Sequence, residues 1–211
     1  VSVAADGSVY AVTGNAFSGG GFAYSNSVVQ VSPDLQSLRS YFAPSNWASL
    51  DASDTDLGSV GAALVPSLGV VVAIGKQGVA YVLRAGSLGG VGAELASNHV
   101  CRGAWGGTAV YGTTVFVPCS DGLYALAVTG SSLGTAWHAD HPQLASPIVT
   151  AGYVWGIDAA SAVLYALDPS TGSAVFSLPL GTAEHFSTPA ATDGFVVAPA
   201  GARVVALAVV S

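Results

Sequence analysis

Three aspartates crowd one short stretch of this chain, Asp51, Asp54 and Asp56, within Asp51-Ala52-Ser53-Asp54-Thr55-Asp56-Leu57-Gly58. Carboxylates this close offer oxygens to a hard cation such as Ca2+. The run lacks the D-x-D-x-D-G order with a distant Glu. A second reading therefore stands beside the first: a loop whose aspartates accept hydrogen bonds from backbone amides. His138, Asp140 and His141 set two imidazoles around a carboxylate, but zinc takes three or four ligands. The next candidates, Glu184 and His185, lie far along the chain. Ser146, His185 and an Asp have the residue types of a hydrolytic triad, yet no G-x-S-x-G elbow presents a serine. Trp47, Trp105 and Trp155 suit either a ligand platform or wedges between packed sheets. Ser18-Gly19-Gly20-Gly21 reads as a hairpin tip rather than a phosphate loop, because no helix follows it.

The elements that must hold these residues are strands. Of 211 residues, 51% are apolar and only 8% charged. That composition offers ample apolar area to offset chain entropy. The 27 glycines and the wealth of Val, Ala, Ser and Thr favour strands and tight turns over helices. The net charge is −7, and Lys76 is the one lysine. No basic cluster exists, which excludes a nucleic-acid binder and a surface that grips anionic lipid. The richest apolar window, 60–75, is broken by Pro66, Ser67 and Gly69, so no membrane span is expected. The chain has no initiator Met and no signal peptide, as expected of a mature or an excised protein.

A repeat organises the strands. Tyr81-Val82-Leu83, Tyr124-Ala125-Leu126, Tyr165-Ala166-Leu167 and Val205-Ala206-Leu207 start 43, 41 and 40 residues apart. A period near forty means one supersecondary unit copied in tandem, too small to bury its own apolar face. Within 145–181, short apolar runs alternate with turns at Ala151-Gly152, Asp158–Ser161 and Asp168–Gly172, which makes four strands. The expected fold is an all-β propeller of four-stranded antiparallel blades, with a sandwich as runner-up. A single domain is expected, with about five blades near 1–43, 59–97, 103–140, 145–181 and 187–211, and an insertion at 44–58. The last unit stops after its third strand and the first begins at a first strand. The expectation is therefore an incomplete ring or part of a larger propeller.

The same ladder bears on the two cysteines. Pairing Thr108–Val110 with the strand through Thr113, Val115 and Val117 puts Cys119 opposite roughly residue 104. Cys101 then lies within reach. The expectation is a Cys101–Cys119 disulfide in an exported protein, secreted, periplasmic or at the cell surface. The alternative is two buried thiols.

Leu164-Tyr165-Ala166-Leu167-Asp168-Pro169-Ser170-Thr171-Gly172 resembles the repeat motif of the quinoprotein alcohol dehydrogenase-like (PQQ-repeat) propellers. Phe176 stands where that motif usually closes with Trp, and Trp137 closes the preceding unit. Val9–Asn15 resembles the family's strand ending in Gly-Asn, 51–58 its acidic loop, and Gly75–Leu83 its Lys/Arg-bearing segment. The family holds pyrroloquinoline quinone (PQQ) dehydrogenases and non-catalytic scaffolds, including those of outer-membrane assembly. The resemblance implies a calcium-ligating role for Asn15 and a quinone-facing role for Lys76. Together with the acidic loop it implies a metal set of Asn15, Asp51, Asp54 and Asp56. It implies no catalyst: the dehydrogenases' Asp-Asn pair corresponds to Ser25-Asn26, and a Ser hydroxyl is no base without an activating partner. An adjacent Cys-Cys pair is also missing.

The reading expected from the sequence is a non-catalytic exported scaffold without a cofactor, binding a protein partner or further propeller blades. One alternative is part of a PQQ- and Ca2+-dependent alcohol or sugar dehydrogenase. Another is a structural subunit of an extracellular assembly.

Overall fold

The computed structural model describes residues 1–16 and 21–209. The glycine run at 18–20 lies outside the described residues. Strands β1 (Ser2–Val3), β2 (Val9–Val12), β3 (Val28–Val31) and β4 (Leu38–Ala43) form the first sheet in that order. Helix α1 (Trp47–Ala52) and a 3-10 turn at Leu57–Ser59 follow. The second sheet runs β5 (Ala63–Val65), β6 (Val70–Ile74), β7 (Val79–Arg84), with β9 (Ala96–His99) outermost. The strand between them in sequence, β8 (Gly90–Val91), joins the edge of the first sheet, parallel to β4. Between β7 and β9, Gly89, Gly90 and Gly92 all adopt positive φ.

The third sheet orders β10 (Ala109–Tyr111), β11 (Thr114–Cys119), β12 (Gly122–Val128) and β13 (Leu133–Ala139). The fourth orders β14 (Ile148–Thr150), β15 (Tyr153–Asp158), β16 (Val163–Leu167) and β17 (Ala174–Pro179). The fifth has three strands among the described residues, β18 (Ala190–Thr192), β19 (Phe195–Ala200) and β20 (Arg203–Ala208). The chain divides into two compact units. One is Val1–Ala104 with Val128–Gly134; the other is Trp105–Ala127 with the chain from Thr135 on.

The tandem phrase falls on the third strand of four sheets with one register. Leu83 faces Val71, Leu126 faces Val115, Leu167 faces Val154 and Leu207 faces Val196. All four of those valines are fully buried. In a strand the first and third residues of the phrase share one face, and the middle residue takes the other. Burial of Leu83 and Val82, and of Leu126 and Ala125, shows both faces covered. A sheet covered on both sides loses the apolar–polar alternation of a one-sided sheet. Strand β6, Val-Val-Val-Ala-Ile, is buried at every position.

In the first unit the core gathers Tyr10, Val28, Phe42, Leu57, Val71, Tyr81 and Leu83. Burial and the nearby Glu94 push the Tyr81 hydroxyl up to about 12. In the second unit Trp155, Ile157, Leu164, Val196 and Ala198 pack together, as do Phe116, Leu123, Val154 and Leu167. Trp137, at the end of its own repeat, lies over the turn of the next. Its indole N–H donates to Pro169 O at 2.9 Å, and a Cβ on Gly172 would sit 2.7 Å from its ring. That contact explains the glycine closing Asp168–Gly172, where φ is +74°. Cys101 and Cys119 are disulfide-bonded. No helix among the described residues is long and apolar enough to cross a membrane; this says nothing of a β-barrel.

Candidate functional site

The residues singled out by the acidic loop and the resemblance meet in the first unit. The ladder between β2 and β3 continues past both strands, with Thr13 N–H donating to Ser27 O and Asn26 N–H to Gly14 O, each 2.8 Å. That extension sets Asn15 beside Ser25 and Asn26. Helix α1 brings Asp51, and the loop after it brings Asp54 and Asp56. The turn after β6 brings Lys76, whose own N–H donates to Asp56 O at 2.9 Å. Three glycines allow this close approach. A Cβ would lie 2.9 Å from Asp56 Oδ1 at Gly14, 2.5 Å from Thr13 C at Gly58, and 2.4 Å from Asp56 O at Gly75.

Asn26 is the hub, fully buried and with φ +45°, a left-handed conformation that Asn tolerates. Its Nδ2 donates to Asp51 Oδ1 at 2.7 Å and to Asn15 Oδ1 at 3.2 Å, and its Oδ1 accepts from Leu57 N–H at 2.8 Å. Asp51 also accepts from Ser25 Oγ at 2.8 Å and Ala16 N–H at 3.3 Å. Asn15 donates its Nδ2 to Asp54 Oδ1 at 3.0 Å and its backbone N–H to Asp56 Oδ1 at 2.9 Å. The Lys76 ammonium bonds Asp56 Oδ2 and Asp54 O, with Asp54 Oδ2 at 3.5 Å.

Charge follows geometry. Burial pushes the Asp56 carboxyl up, but the hydrogen bonds from Lys76 and Asn15 outweigh it and hold the group below its ordinary value. The bond to Asp56 holds Lys76 above its own ordinary value, against partial burial. The structure thus brings together Asn15, Asp51, Asp54, Asp56 and Lys76. Asn26 is the residue whose central part sequence reasoning missed. Its neighbour Ser25 drew the comparison, and the signal available was an Asn two residues before a valine-rich strand.

As arranged, these groups do not fit a calcium ion or a quinone. Calcium takes six to eight oxygens. Here Asn15 Oδ1, both Asp51 oxygens and Asp56 Oδ1 accept from N–H or O–H donors. An ammonium sits between Asp54 and Asp56, where a divalent ion would have to displace it. Lys76 is accordingly turned to carboxylates and not left open for a carbonyl oxygen. What the site can do is lock a loop, a helix and two sheets of one unit together.

Elsewhere, Ser146 Oγ accepts from Gly107 N–H at 2.8 Å, and the His185 ring stacks on Phe186 with centroids 4.0 Å apart. His138 stacks on Tyr124 at 4.0 Å, and its Nε2 lies 2.8 Å from Asp121 O. Trp155 is core, whereas Trp105 is 37% exposed.

No protein-family model and no curated protein matches the chain. Solved structures do. BamB from Moraxella catarrhalis, a β-propeller, aligns with a TM-score of 0.66 at 18% identity over 97% of this chain and 56% of its own. The chain therefore spans little more than half of BamB. The computationally designed Ika8 protein aligns at 0.54 with 15% identity, over 83% of this chain and 52% of its own. Designed Ika4 aligns at 0.52 with 16% identity, over 67% and 86%. The fold is a β-propeller fold like that of BamB. At these identities the likeness concerns fold, not activity.

Proposed function

We propose that this chain is a non-catalytic, exported propeller of the PQQ-repeat type that acts as a binding or assembly scaffold. The observation that carries the reading is the closed hydrogen-bond network around Asn26. The positions where the family's dehydrogenases hold calcium and quinone bond one another here, and Ser25 stands where their base would be. A scaffold needs those loops rigid, and the network makes them so. The likeness to BamB supports the fold on which such a role rests, and the disulfide supports export.

The gathering of Asn15, Asp51 and Lys76 is what favours the second reading, a PQQ- and Ca2+-dependent dehydrogenase with further blades. Thermal unfolding with PQQ plus Ca2+, and separately with chelator, divides the two. A ligand at a hundred times its Kd adds about 2.7 kcal/mol, or roughly 5–10 °C for a chain of this size. The scaffold reading expects no shift in either arm. A stabilisation of that size, with dye reduction on adding an alcohol or aldose, would establish the dehydrogenase instead.

A further inference from the structure

The second unit holds a cavity of about 380 Å³ that the network around Asn26 does not touch. That volume lies at the small end of the ligand-site range. It opens where β11 and β15 end and where the chain approaches β14 and β18. Trp105, Gln143, Leu144, Asp158, His185 and Phe186 are among its walls.

Asp158 is the informative wall. The residue is only 8% exposed. Its Oδ1 accepts from Ala160 N–H at 3.0 Å and Ser161 N–H at 3.3 Å. No hydrogen bond or ion pair among the described residues reaches Oδ2, and no Lys or Arg lines the cavity. A carboxylate this buried is costly without a countercharge. Gln143 donates its Nε2 to Ser120 O at 3.2 Å, which leaves its Oε1 as a second acceptor.

The aromatic walls point the same way. Trp105 is 37% and Phe186 53% exposed. Phe186 has φ +66°, a left-handed conformation that costs a bulky residue about 1–2 kcal/mol. The turn enforces it: Ser187 N–H donates to Glu184 O at 3.0 Å, Glu184 N–H to Ser187 Oγ at 3.1 Å, and Thr188 Oγ1 to Phe186 O at 3.3 Å. Strain of this kind gathers where a side chain must be presented. An aromatic face beside a carboxylate attracts a cation twice over, through the ring quadrupole and through the charge.

We infer that this cavity receives a cationic side chain, an arginine or lysine, presented by a protein partner. The inference rests on the scaffold reading and names the chemistry by which that scaffold recognises its partner. The guanidinium or ammonium pairs with Asp158 Oδ2 and lies against Trp105 or Phe186, and the chain's net charge of −7 steers such a partner inward. An anion would meet the Asp158 carboxylate with no Lys or Arg among the walls to offset it. A sugar finds a platform but leaves the buried charge uncompensated.

The test is an amide-resonance titration of the full chain at about pH 8. The probes are acetyl-Gly-Arg-Gly-amide, its citrulline analogue and methyl glucoside. Expected are saturable shifts of the Trp105 indole and the Ala160 and Ser161 amides with the arginine peptide. The citrulline peptide should bind at least about ten-fold more weakly, as should the arginine peptide to Asp158→Asn, since each lacks a charged hydrogen bond. Phe186→Gly relieves the backbone strain while removing a ring, and should also weaken binding; it carries the test if Asp158→Asn misfolds. Equal binding of the citrulline peptide, shifts only with methyl glucoside, or no shift at the Ala160 and Ser161 amides would each overturn the inference. Quinone binding would instead be read at Asn26 and Lys76, so a failure of the scaffold reading is separable from a failure of this site.

Discussion

Replacing Asn26 with Ala would leave Leu57 N–H without its acceptor and remove a donor from both Asp51 and Asn15. A buried group left unpaired costs about 1–3 kcal/mol. Urea unfolding should show Asn26→Ala less stable by about 2–3 kcal/mol, and Asn26→Asp at least as destabilised, because it sets a second carboxylate against Asp51 Oδ1. The Lys76–Asp56 pair gives a pH signature. The folded state lowers the Asp56 value below 3.8 and raises that of Lys76 above 10.5. Asp56 therefore contributes stability that is full above its unfolded value and is lost as pH falls through the lowered folded one. Lys76 contributes stability that is full below its unfolded value and is lost as pH rises through the raised one. Asp56→Asn should flatten the acid arm of the Tm–pH profile and reduce stability near neutrality by about 1–2 kcal/mol. An unchanged acid arm would show that the pair contributes little in solution.

At the scale of elements, two glycines in the same backbone conformation make opposite demands. Gly69 ends the 3-10 turn before β6 with φ +62° and open space around it. Gly78 turns β6 into β7 with φ +71°, and a Cβ there would lie 1.7 Å from Cys101 O. Gly69→Ala should cost only the conformational strain, about 1–2 kcal/mol. Gly78→Ala should cost more than about 3 kcal/mol or prevent folding, because backbone rather than a side-chain tip must give way. Chemical denaturation of the pair measures the difference. The strands themselves were largely legible: the Tyr-x-Leu period located four third strands because one register recurs. Helix α1 was not, since it spans only six residues and its N-cap residue, Asn46, makes no side-chain cap hydrogen bond. It forms because Leu50 is buried and Asp51 is held by Ser25 and Asn26.

At the scale of the whole molecule, the disulfide ties residues that the repeat alone would leave joined only by a loop. A cross-link closing a loop of this length adds about 3 kcal/mol, chiefly by restricting the unfolded chain. Reduction, or Cys101→Ser with Cys119→Ser, should lower the unfolding free energy by about that much in urea titrations. An equal stability of the reduced chain would remove the main physical argument for an oxidising compartment. The scaffold reading belongs to this scale too, because a scaffold acts through a surface offered to a partner and not through a reacting atom.

Much of this molecule followed from local order along the chain. The forty-residue period, the turn residues and the lack of charge determined strands, sheets and a propeller, because each small sheet must have both of its own apolar faces covered. Local order also marked out Asp51, Asp54 and Asp56, and the family resemblance added Asn15 and Lys76. Their state was decided in three dimensions. Whether a carboxylate meets an ammonium, an amide or open space depends on residues ten to forty positions away, as with Asn15 and Asp54 or Asp51 and Asn26. Asp158 and Phe186 carry no motif. Their burial, strain and missing partners arise only from how five chain segments meet at the ends of the strands, and a one-dimensional pattern has no term for that.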